Sequence, residues 1–441
     1  MLNISTIRFP SIIAILLLAV LAAGIGFLVG VADYNWQGLL LVPLAIIIAA
    51  YFLLPRMSRL DAWSPLLIIL IAGLICRLGF SLLKVWIMST EFAGGTDVTE
   101  YNMYGTIVAQ YLWRLEFEQI VPFLQWGSRF ISFFTGLIYS LIGPTLIGGF
   151  LVYAFLAFLG SYFFYRAFRV AFPQGDRRLY AILVFFFPSI PFWTSAISKD
   201  ALIFLGIGLF AYGGAELIRN RLQGLVPLAI GLLCTLWIRP HIAAILAIAL
   251  ILALLVRGIG RGGARPVIFV IGLLLIGGFV WFLLPRLTDF LNLRQLSSEE
   301  IIGLLQQQQS LAYRGGSAFR PVDISNPLNF PMVIVTVLFR PFPWEAHNIL
   351  ALIQSLEGVI FIGLVLWRIK SIGKAVVSLI SNPYVRFILL YVIAFIVVFS
   401  LVGNFGILAR QRTMMLPFFL MLMAFAPSRA SIEGKTQEVA I

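Results

Sequence analysis

The residue types best suited to chemistry lie in residues 94–101, which read Gly-Gly-Thr-Asp-Val-Thr-Glu-Tyr. Asp97 and Glu100 are three positions apart, so at the start of a helix both side chains lie on one face. A carboxylate within reach of a hydroxyl group can accept its proton as a new bond forms to the oxygen. The same acids suit a structural role, because Thr96 or Thr99 would cap such a helix and its first turn favours negative charge. The spacing alone favours the structural role.

A second group of polar residues is mainly basic and falls near turns that we predict on the outer side of a membrane. Arginine binds phosphate as a planar fork and lysine binds it as a point charge, so this group suits a phosphate or diphosphate on a lipid carrier. Lipid headgroups or local acids are the alternative explanation. The candidates for donor binding are Lys84, Lys199 with its neighbour Asp200, Arg239, His241, Arg340, Arg410 and Arg412.

The composition indicates a membrane protein. Hydrophobic residues make up 61% of the chain and the mean hydropathy is +1.02, so a water-soluble fold would lack the polar surface to cover its core. Apolar runs of roughly 18 to 25 residues recur, and each is long enough to cross about 30 Å of hydrocarbon as a helix. We therefore predict an all-α, polytopic protein whose 441 residues form a single membrane domain.

About twelve transmembrane helices are predicted from these runs. The predicted spans are residues 10–31, 37–54, 65–87, 145–168, 180–196, 199–217, 222–238, 242–256, 267–285, 347–367, 383–402 and 412–427. With the N-terminus in the cytoplasm, most Lys and Arg side chains fall in cytoplasmic loops, as the positive-inside rule requires. The tail, residues 428–441, then returns to the cytoplasm, and the predicted location is the cytoplasmic (inner) membrane. The net charge of +13 follows from this topology, so no nucleic-acid partner is predicted.

Two longer loops are predicted on the outer side, at residues 89–143 and 285–346. Within the first, residues 101–117 and 129–142 mix aromatic and polar side chains, as interfacial helices do. Within the second, residues 297–309 contain a helix start, and residues 330–339 are apolar but too short to span. These loops would roof a cavity open to the outer face. Because no internal repeat is evident, an inverted-repeat transporter is disfavoured.

The remaining titratable groups are few. Cys76 and Cys234 lie within predicted spans and have no metal-ligand spacing, which favours a packing role. The two histidines of the chain cannot form a zinc centre on their own. Arg77 and Glu357 are costly inside a membrane, and pairing with each other or with another partner would offset that cost. No metal site is predicted from these residues, although Mg²⁺ or Mn²⁺ near Asp97 is left open.

Residues 89–217 resemble the N-terminal half of the GT-C superfamily of integral-membrane glycosyltransferases, which includes protein O-mannosyltransferases and aminoarabinose transferases. The matching motifs, in order, are Gly-Thr-Asp-Val-Thr-Glu-Tyr at 95–101, Leu-Ile-Gly-Pro at 141–144, Tyr-Arg-Ala-Phe-Arg at 165–169, Phe-Pro-Ser at 187–189 and Phe-Trp-Thr-Ser-Ala-Ile-Ser-Lys-Asp at 192–200. The first motif of the family is Asp-x-Asp or similar, whereas Asp97 and Glu100 are three positions apart. Metal dependence is therefore left open.

The resemblance implies transfer of a sugar from a polyprenyl-phosphate donor to a glycan, lipid or protein hydroxyl on the outer face. Asp97 is the first choice for the general base and Glu100 the second. The leaving phosphate needs cations where its charge develops, and Lys199, Arg239 and Arg410 or Arg412 are the candidates. A single carboxylate base implies inversion at the anomeric carbon.

Three other classes of protein remain open. A polymerase or ligase of lipid-diphosphate-linked oligosaccharides, as in O-antigen systems, would depend on Arg410 and Arg412 and on residues 313–316, Tyr-Arg-Gly-Gly, rather than on Asp97. A non-enzymatic flippase or transporter would need a continuous polar path across the membrane. A membrane scaffold in envelope assembly would depend on no single polar side chain.

Overall fold

The computed structural model describes residues 36–61, 63–91, 97–258, 278, 317–324 and 326–426. Over these ranges the chain is helical, and the one sheet-like contact is an isolated bridge between Ala318 and Asn404. The all-helical prediction is therefore confirmed for this part of the chain. The predicted segments that lie outside the described residues are the spans 10–31 and 267–285, the helix start at 297–309, the motif at 313–316 and the tail 428–441.

Sixteen α-helices occur in the described ranges. They are α1 (Trp36–Arg59), α2 (Leu66–Glu91), α3 (Asp97–Trp113), α4 (Ser128–Ile142), α5 (Leu146–Ala171), α6 (Arg177–Phe186), α7 (Ser189–Thr194), α8 (Lys199–Ile218), α9 (Leu225–Ile238), α10 (Pro240–Gly258), α11 (Phe330–Phe339), α12 (Ile349–Trp367), α13 (Ile369–Val377), α14 (Pro383–Phe399), α15 (Phe405–Arg412) and α16 (Leu416–Met423).

Four of these helices, α1, α2, α5 and α8, are long and apolar enough to cross a membrane. The pair α12 and α13, bent by 62°, adds a fifth if it forms one span. The described residues thus carry several membrane-spanning candidates, but fewer than the twelve predicted. Helices α9 and α14, each predicted as a span, have 14 and 17 residues.

Two predicted spans are interrupted in the structure. The span at 180–196 is divided into α6 and α7, because Pro188 lacks a backbone N–H and disfavours helical geometry at Phe187. The span at 412–427 starts at the last residue of α15, and its helical part is the eight-residue α16. Pro417 lies in the first turn of α16, where proline starts a helix rather than continuing one. Both spans were therefore wrongly predicted as continuous.

The chain packs into two compact units. Unit 1 consists of Met1–Ser161 with Phe185–Leu205, and unit 2 consists of Tyr162–Val184 with Gly206–Ile441. In unit 1, α1 packs on α2, α2 on α7, and α3 on α4. In unit 2, α10 packs on α9 and α14, and α16 packs on α13 and α14.

The core of unit 2 is built around aromatic rings. The ring of Phe418 on α16 meets Phe164, Phe387 and Tyr391 edge to face, with centroids 4.9 to 5.4 Å apart. All four side chains are buried. Such edge-to-face pairs add to the hydrophobic gain of burial and hold the short α16 in place.

Helices α3 and α4, which carry the first acidic motif, approach closely at two glycines. A Cβ on Gly105 would lie 2.7 Å from Thr135, and one on Gly136 would lie 2.4 Å from Val108. Tyr139 also donates a 2.6 Å hydrogen bond to Asn102 across the pair. The predicted helices at 101–117 and 129–142 correspond to α3 and α4. The contact between them holds the first half of α3 against α4.

Gly136→Ala should destabilise this pair of helices. The added methyl group overlaps Val108, and overpacking of this kind costs about 1–3 kcal/mol. The matched control is Gly79→Ala in α2, where a Cβ meets nothing within 4 Å and the better helix propensity of alanine stabilises the fold. Thermal unfolding in detergent checks this, and equal unfolding temperatures for the two variants would contradict the close contact.

Candidate functional site

Asp97 and Glu100 both lie in the first turn of α3, and both are exposed. Their carboxylates therefore favour the positive end of the helix dipole, as the structural interpretation requires. Exposure also leaves them accessible to a substrate, as the catalytic interpretation requires. The predicted cap Thr96 lies outside the described residues, and Thr99 lies inside the helix rather than before it.

An apolar cavity of about 640 Å³ lies at the other end of α3. It is lined by side chains of α1, α4 and α5 and by Trp113, whose indole N–H donates a 3.0 Å hydrogen bond to the carbonyl of Ser140. Asp97 and Trp113 are about 24 Å apart along the helix at 1.5 Å per residue. The cavity is suited to a hydrocarbon chain, but it does not open beside Asp97.

Arg77 is buried in unit 1 and makes its bonds to uncharged groups. Its guanidinium donates to Ser161 Oγ at 2.7 Å and to Thr194 Oγ1, and it lies 5.3 Å from the centroid of the Phe204 ring. The predicted pairing with Glu357 is replaced by these contacts. They join α2, α5, α7 and α8 at one point, so Arg77 fixes the end of α7.

Lys84, two helical turns after Arg77, also faces the end of α7. Its ammonium group donates to the carbonyl of Trp193 at 3.4 Å and lies 5.0 Å and 5.3 Å from the rings of Phe192 and Trp193. The next helix, α8, begins with the half-buried Lys199 and the buried Asp200. Lys84 is thus a positioning contact for the turn that leads into the second polar motif.

Two hydroxyl groups beside these cations bond none of the described residues. They are Ser81 Oγ, one turn from Arg77, and Ser195 Oγ, next to Thr194, and both side chains are fully buried. An unmade hydrogen bond of this kind costs roughly 1–3 kcal/mol, so a water or a ligand oxygen would be favoured there.

Four predicted arginines come together around α15 in unit 2. Arg239, which follows α9, donates to the side-chain oxygen of Gln411, and Arg412 donates to the carbonyls of Val337 at 2.9 Å and of Arg340. Arg410 is half-buried on the same helix. We call Arg239, Arg340, Arg410 and Arg412 the α15 arginine cluster.

Arg340 is held on both sides. Its guanidinium binds both carboxylate oxygens of Glu345, at 2.5 to 3.1 Å, and lies 4.6 Å and 5.0 Å from the stacked rings of Phe319 and Phe405. Burial would raise the pKa of the Glu345 carboxyl, but its bonds to Arg340 and to the Phe342 N–H hold that pKa below its ordinary value. For Arg340, the local acid is therefore the partner.

Two further groups adjoin the cluster. The carboxyl of Glu357 interacts electrostatically with Arg412, and the ring of His241 lies 6.4 Å from the ring of Phe399. Among the described residues, Glu345 and Glu357 are the carboxylates beside these four guanidinium groups, so this part of the chain favours an anion. The Nη1 group of Arg412 donates to none of the described residues.

The predicted site residues are divided between the two units. Asp97, Glu100, Lys84, Lys199 and Asp200 belong to unit 1, whereas the α15 arginine cluster and His241 belong to unit 2. Within the described ranges, no three His, Cys, Asp or Glu side chains are grouped as metal ligands would be.

The neutral partners of the buried arginines were not predicted from the sequence. Gln411 stands between two predicted arginines, which was a signal for its role. Ser161 and Thr194 gave no such signal, because they lie far from Arg77 in the chain.

Comparison of the chain with protein-family models, with curated protein sequences and with solved structures finds no match.

Glu345 should contribute stability at neutral pH that is lost in acid. Its pKa is lower in the folded than in the unfolded chain, so its contribution is complete above the unfolded pKa and disappears as the pH falls through the folded pKa. Glu345→Gln should therefore lose less thermal stability than the wild type between neutral pH and about pH 3. Glu118→Gln, which removes an exposed carboxyl, is the control. Equal acid sensitivity of Glu345→Gln and wild type would contradict the ion pair.

Proposed function

We propose that this protein is an integral-membrane glycosyltransferase, GT-C-like, that takes its sugar from a polyprenyl-phosphate donor on the outer face of the membrane. It would act in the assembly of cell-envelope polysaccharides or glycoconjugates, with a glycan, lipid or protein hydroxyl as acceptor. The observation that carries the proposal is the α15 arginine cluster, which brings four guanidinium groups together around one short helix.

The cluster suits a lipid-linked phosphate for two reasons. Guanidinium groups donate paired hydrogen bonds to phosphate oxygens, and Arg412 keeps Nη1 for such a bond. Thr336, next to Val337 in α11, has a buried hydroxyl that bonds none of the described residues and would be satisfied by a ligand oxygen. Developing charge on the leaving phosphate would be stabilised by cations that are already in place.

In this proposal Asp97 is the general base that accepts the proton of the acceptor hydroxyl, with Glu100 as its helper. Its exposure at the start of α3 supports the role, because an acceptor can reach it. One base and a phosphate leaving group give inversion at the anomeric carbon. A divalent cation beside Asp97 would be carried by these two carboxylates, and addition of EDTA to the assay tests for it.

The proposed topology has about twelve spans in the cytoplasmic membrane, with both termini in the cytoplasm. The helices that support it are α1, α2, α5 and α8, which are long and apolar enough to cross a bilayer. The apolar cavity beside Trp113 offers room for part of a lipid chain.

Asp97→Asn should reduce sugar transfer by about 10²-fold or more, because the amide cannot accept the proton. Membrane vesicles containing the full chain would be supplied with polyprenyl-monophosphate sugars, and product would be measured directly. Glu116→Gln, an exposed acid beyond the other end of α3, is the control. A fully active Asp97→Asn would show that Asp97 only stabilises the start of α3. A wild type that is inactive with every such donor would count against the glycosyltransferase proposal.

The second candidate is a polymerase or ligase of lipid-diphosphate-linked oligosaccharides. The observation that favours it is the presence of both Arg410 and Arg412 in one cluster with Arg239 and Arg340. This candidate requires a diphosphate donor and makes the arginines, rather than Asp97, indispensable.

Arg412→Lys and Arg386→Lys form a matched pair that tests the cluster. Each arginine is 6% exposed and donates to two backbone carbonyls, those of Ala253 and Ile380 in the case of Arg386. Both variants lose the planar fork, so both should be similarly destabilised. Only Arg412→Lys should weaken donor binding, by about tenfold or more. Equal donor affinity in the two variants would remove the cluster from the site, and comparison of monophosphate and diphosphate donors separates the two candidates.

A further inference from the structure

A polar cavity of about 570 Å³ lies in unit 2, where α5 and α8 end and α14 begins. It is separate from the α15 arginine cluster and shares no residue with it. Because α5 and α8 are both candidate membrane spans, their ends mark the level at which lipid headgroups lie. The polar side chains that line it are those of Gln174, Arg219, Asn220, Ser378, Ser381 and Asn382.

Arg219 lies at the wall of this cavity, with its side chain exposed. Its Nε donates to the carbonyl of Val170 at 3.2 Å and its Nη2 to that of Ala171 at 3.3 Å, so it closes the end of α5. Its Nη1 group donates to none of the described residues. A guanidinium that contacts two backbone carbonyls and has one further nitrogen is a suitable donor for an anionic oxygen.

The hydrogen bonds already made by the other wall residues determine which of their polar groups remain for a ligand. Asn382 accepts from the backbone N–H groups of Tyr384 and Val385 with its side-chain oxygen, at 3.0 and 3.2 Å, which leaves its NH₂ group to donate. Ser378 and Ser381 each donate their hydroxyl hydrogen to a backbone carbonyl, so their oxygens are left to accept. Donors and acceptors therefore line the same cavity.

The charge of the cavity also limits the ligand. Among its described lining residues there is one cation, Arg219, and no carboxylate. The N-terminus of α14 adds positive partial charge, and the last carbonyls of α8 are already bonded by the backbone N–H groups of Arg219, Asn220 and Arg221. The site thus favours an anionic ligand. The rings of Phe172 and Tyr384 form an apolar part of the wall.

We propose that this cavity binds a phosphate ester that carries free hydroxyl groups. Its phosphate accepts from Arg219 and Asn382, and its hydroxyl groups donate to Ser378 and Ser381. The shared chemistry has two sources, the headgroup of a phospholipid such as phosphatidylglycerol or a soluble compound such as glycerol 3-phosphate. The proposal does not depend on the glycosyltransferase function.

Arg219→Gln and Arg221→Gln, measured in the purified full chain in detergent, test the site. Both variants remove one positive charge within three residues, but Arg221 is 60% exposed, pairs with Glu216 and does not line the cavity. Phosphatidylglycerol should raise the unfolding temperature of the wild type and of Arg221→Gln more than phosphatidylcholine does. In Arg219→Gln the apparent affinity should fall by about tenfold or more.

The soluble arms of the experiment use glycerol 3-phosphate and inorganic phosphate. Stabilisation by glycerol 3-phosphate to the same extent as by phosphatidylglycerol assigns the soluble source, and stabilisation by the lipid alone assigns the headgroup. Because Arg219 also holds the end of α5, a second variant removes only wall side chains. Asn220 has φ 61°, a left-handed conformation that glycine adopts without strain, so Asn220→Gly combined with Gln174→Ala keeps the backbone.

This double variant should fold like the wild type and bind phosphatidylglycerol more weakly. Two results would overturn the proposal. One is a wild type that none of these compounds stabilises more than phosphatidylcholine does. The other is binding that is unchanged in both Arg219→Gln and the double variant.

Discussion

A guanidinium group inside an apolar helical protein must find hydrogen-bond acceptors, and the arrangement of this chain follows from how its buried arginines find them. Arg77 uses two hydroxyl groups, Arg239 a carboxamide, and Arg386 and Arg412 backbone carbonyls. An unmet donor in such surroundings would cost several kcal/mol. Each of these arginines therefore joins segments that are far apart in the sequence.

The same constraint gathers the polar chemistry into a few places. Around α15, neutral acceptors hold Arg239 and Arg412 while Glu345 binds Arg340, so the cluster has more positive than negative groups among the described residues. An anionic ligand is the natural complement of that excess. The acids Asp97 and Glu100, by contrast, lie at an exposed helix start, where they remain accessible.

Unit 2 carries two polar regions that are separated by α9. Arg219 and Asn220 precede this 14-residue helix and Arg239 follows it, so its length of about 21 Å lies between the cavity and the cluster. One region suits the phosphate of the proposed donor and the other suits a hydroxylated phosphate ester. Under the two proposals, a lipid-linked substrate and a headgroup would bind near opposite ends of α9 at the same time.

Local patterns in the sequence were enough to predict that the chain is helical and where several of its helices lie. The apolar segment 330–339 is the helix α11, and the predicted span 65–87 lies almost wholly within α2, because hydrophobic runs report helix formation directly. The break at Pro188 was also visible in the sequence but was overlooked. The partners of the buried arginines were not accessible in this way. Arg239 and Gln411 are 172 positions apart, and such a bond depends on how helices pack rather than on any local pattern.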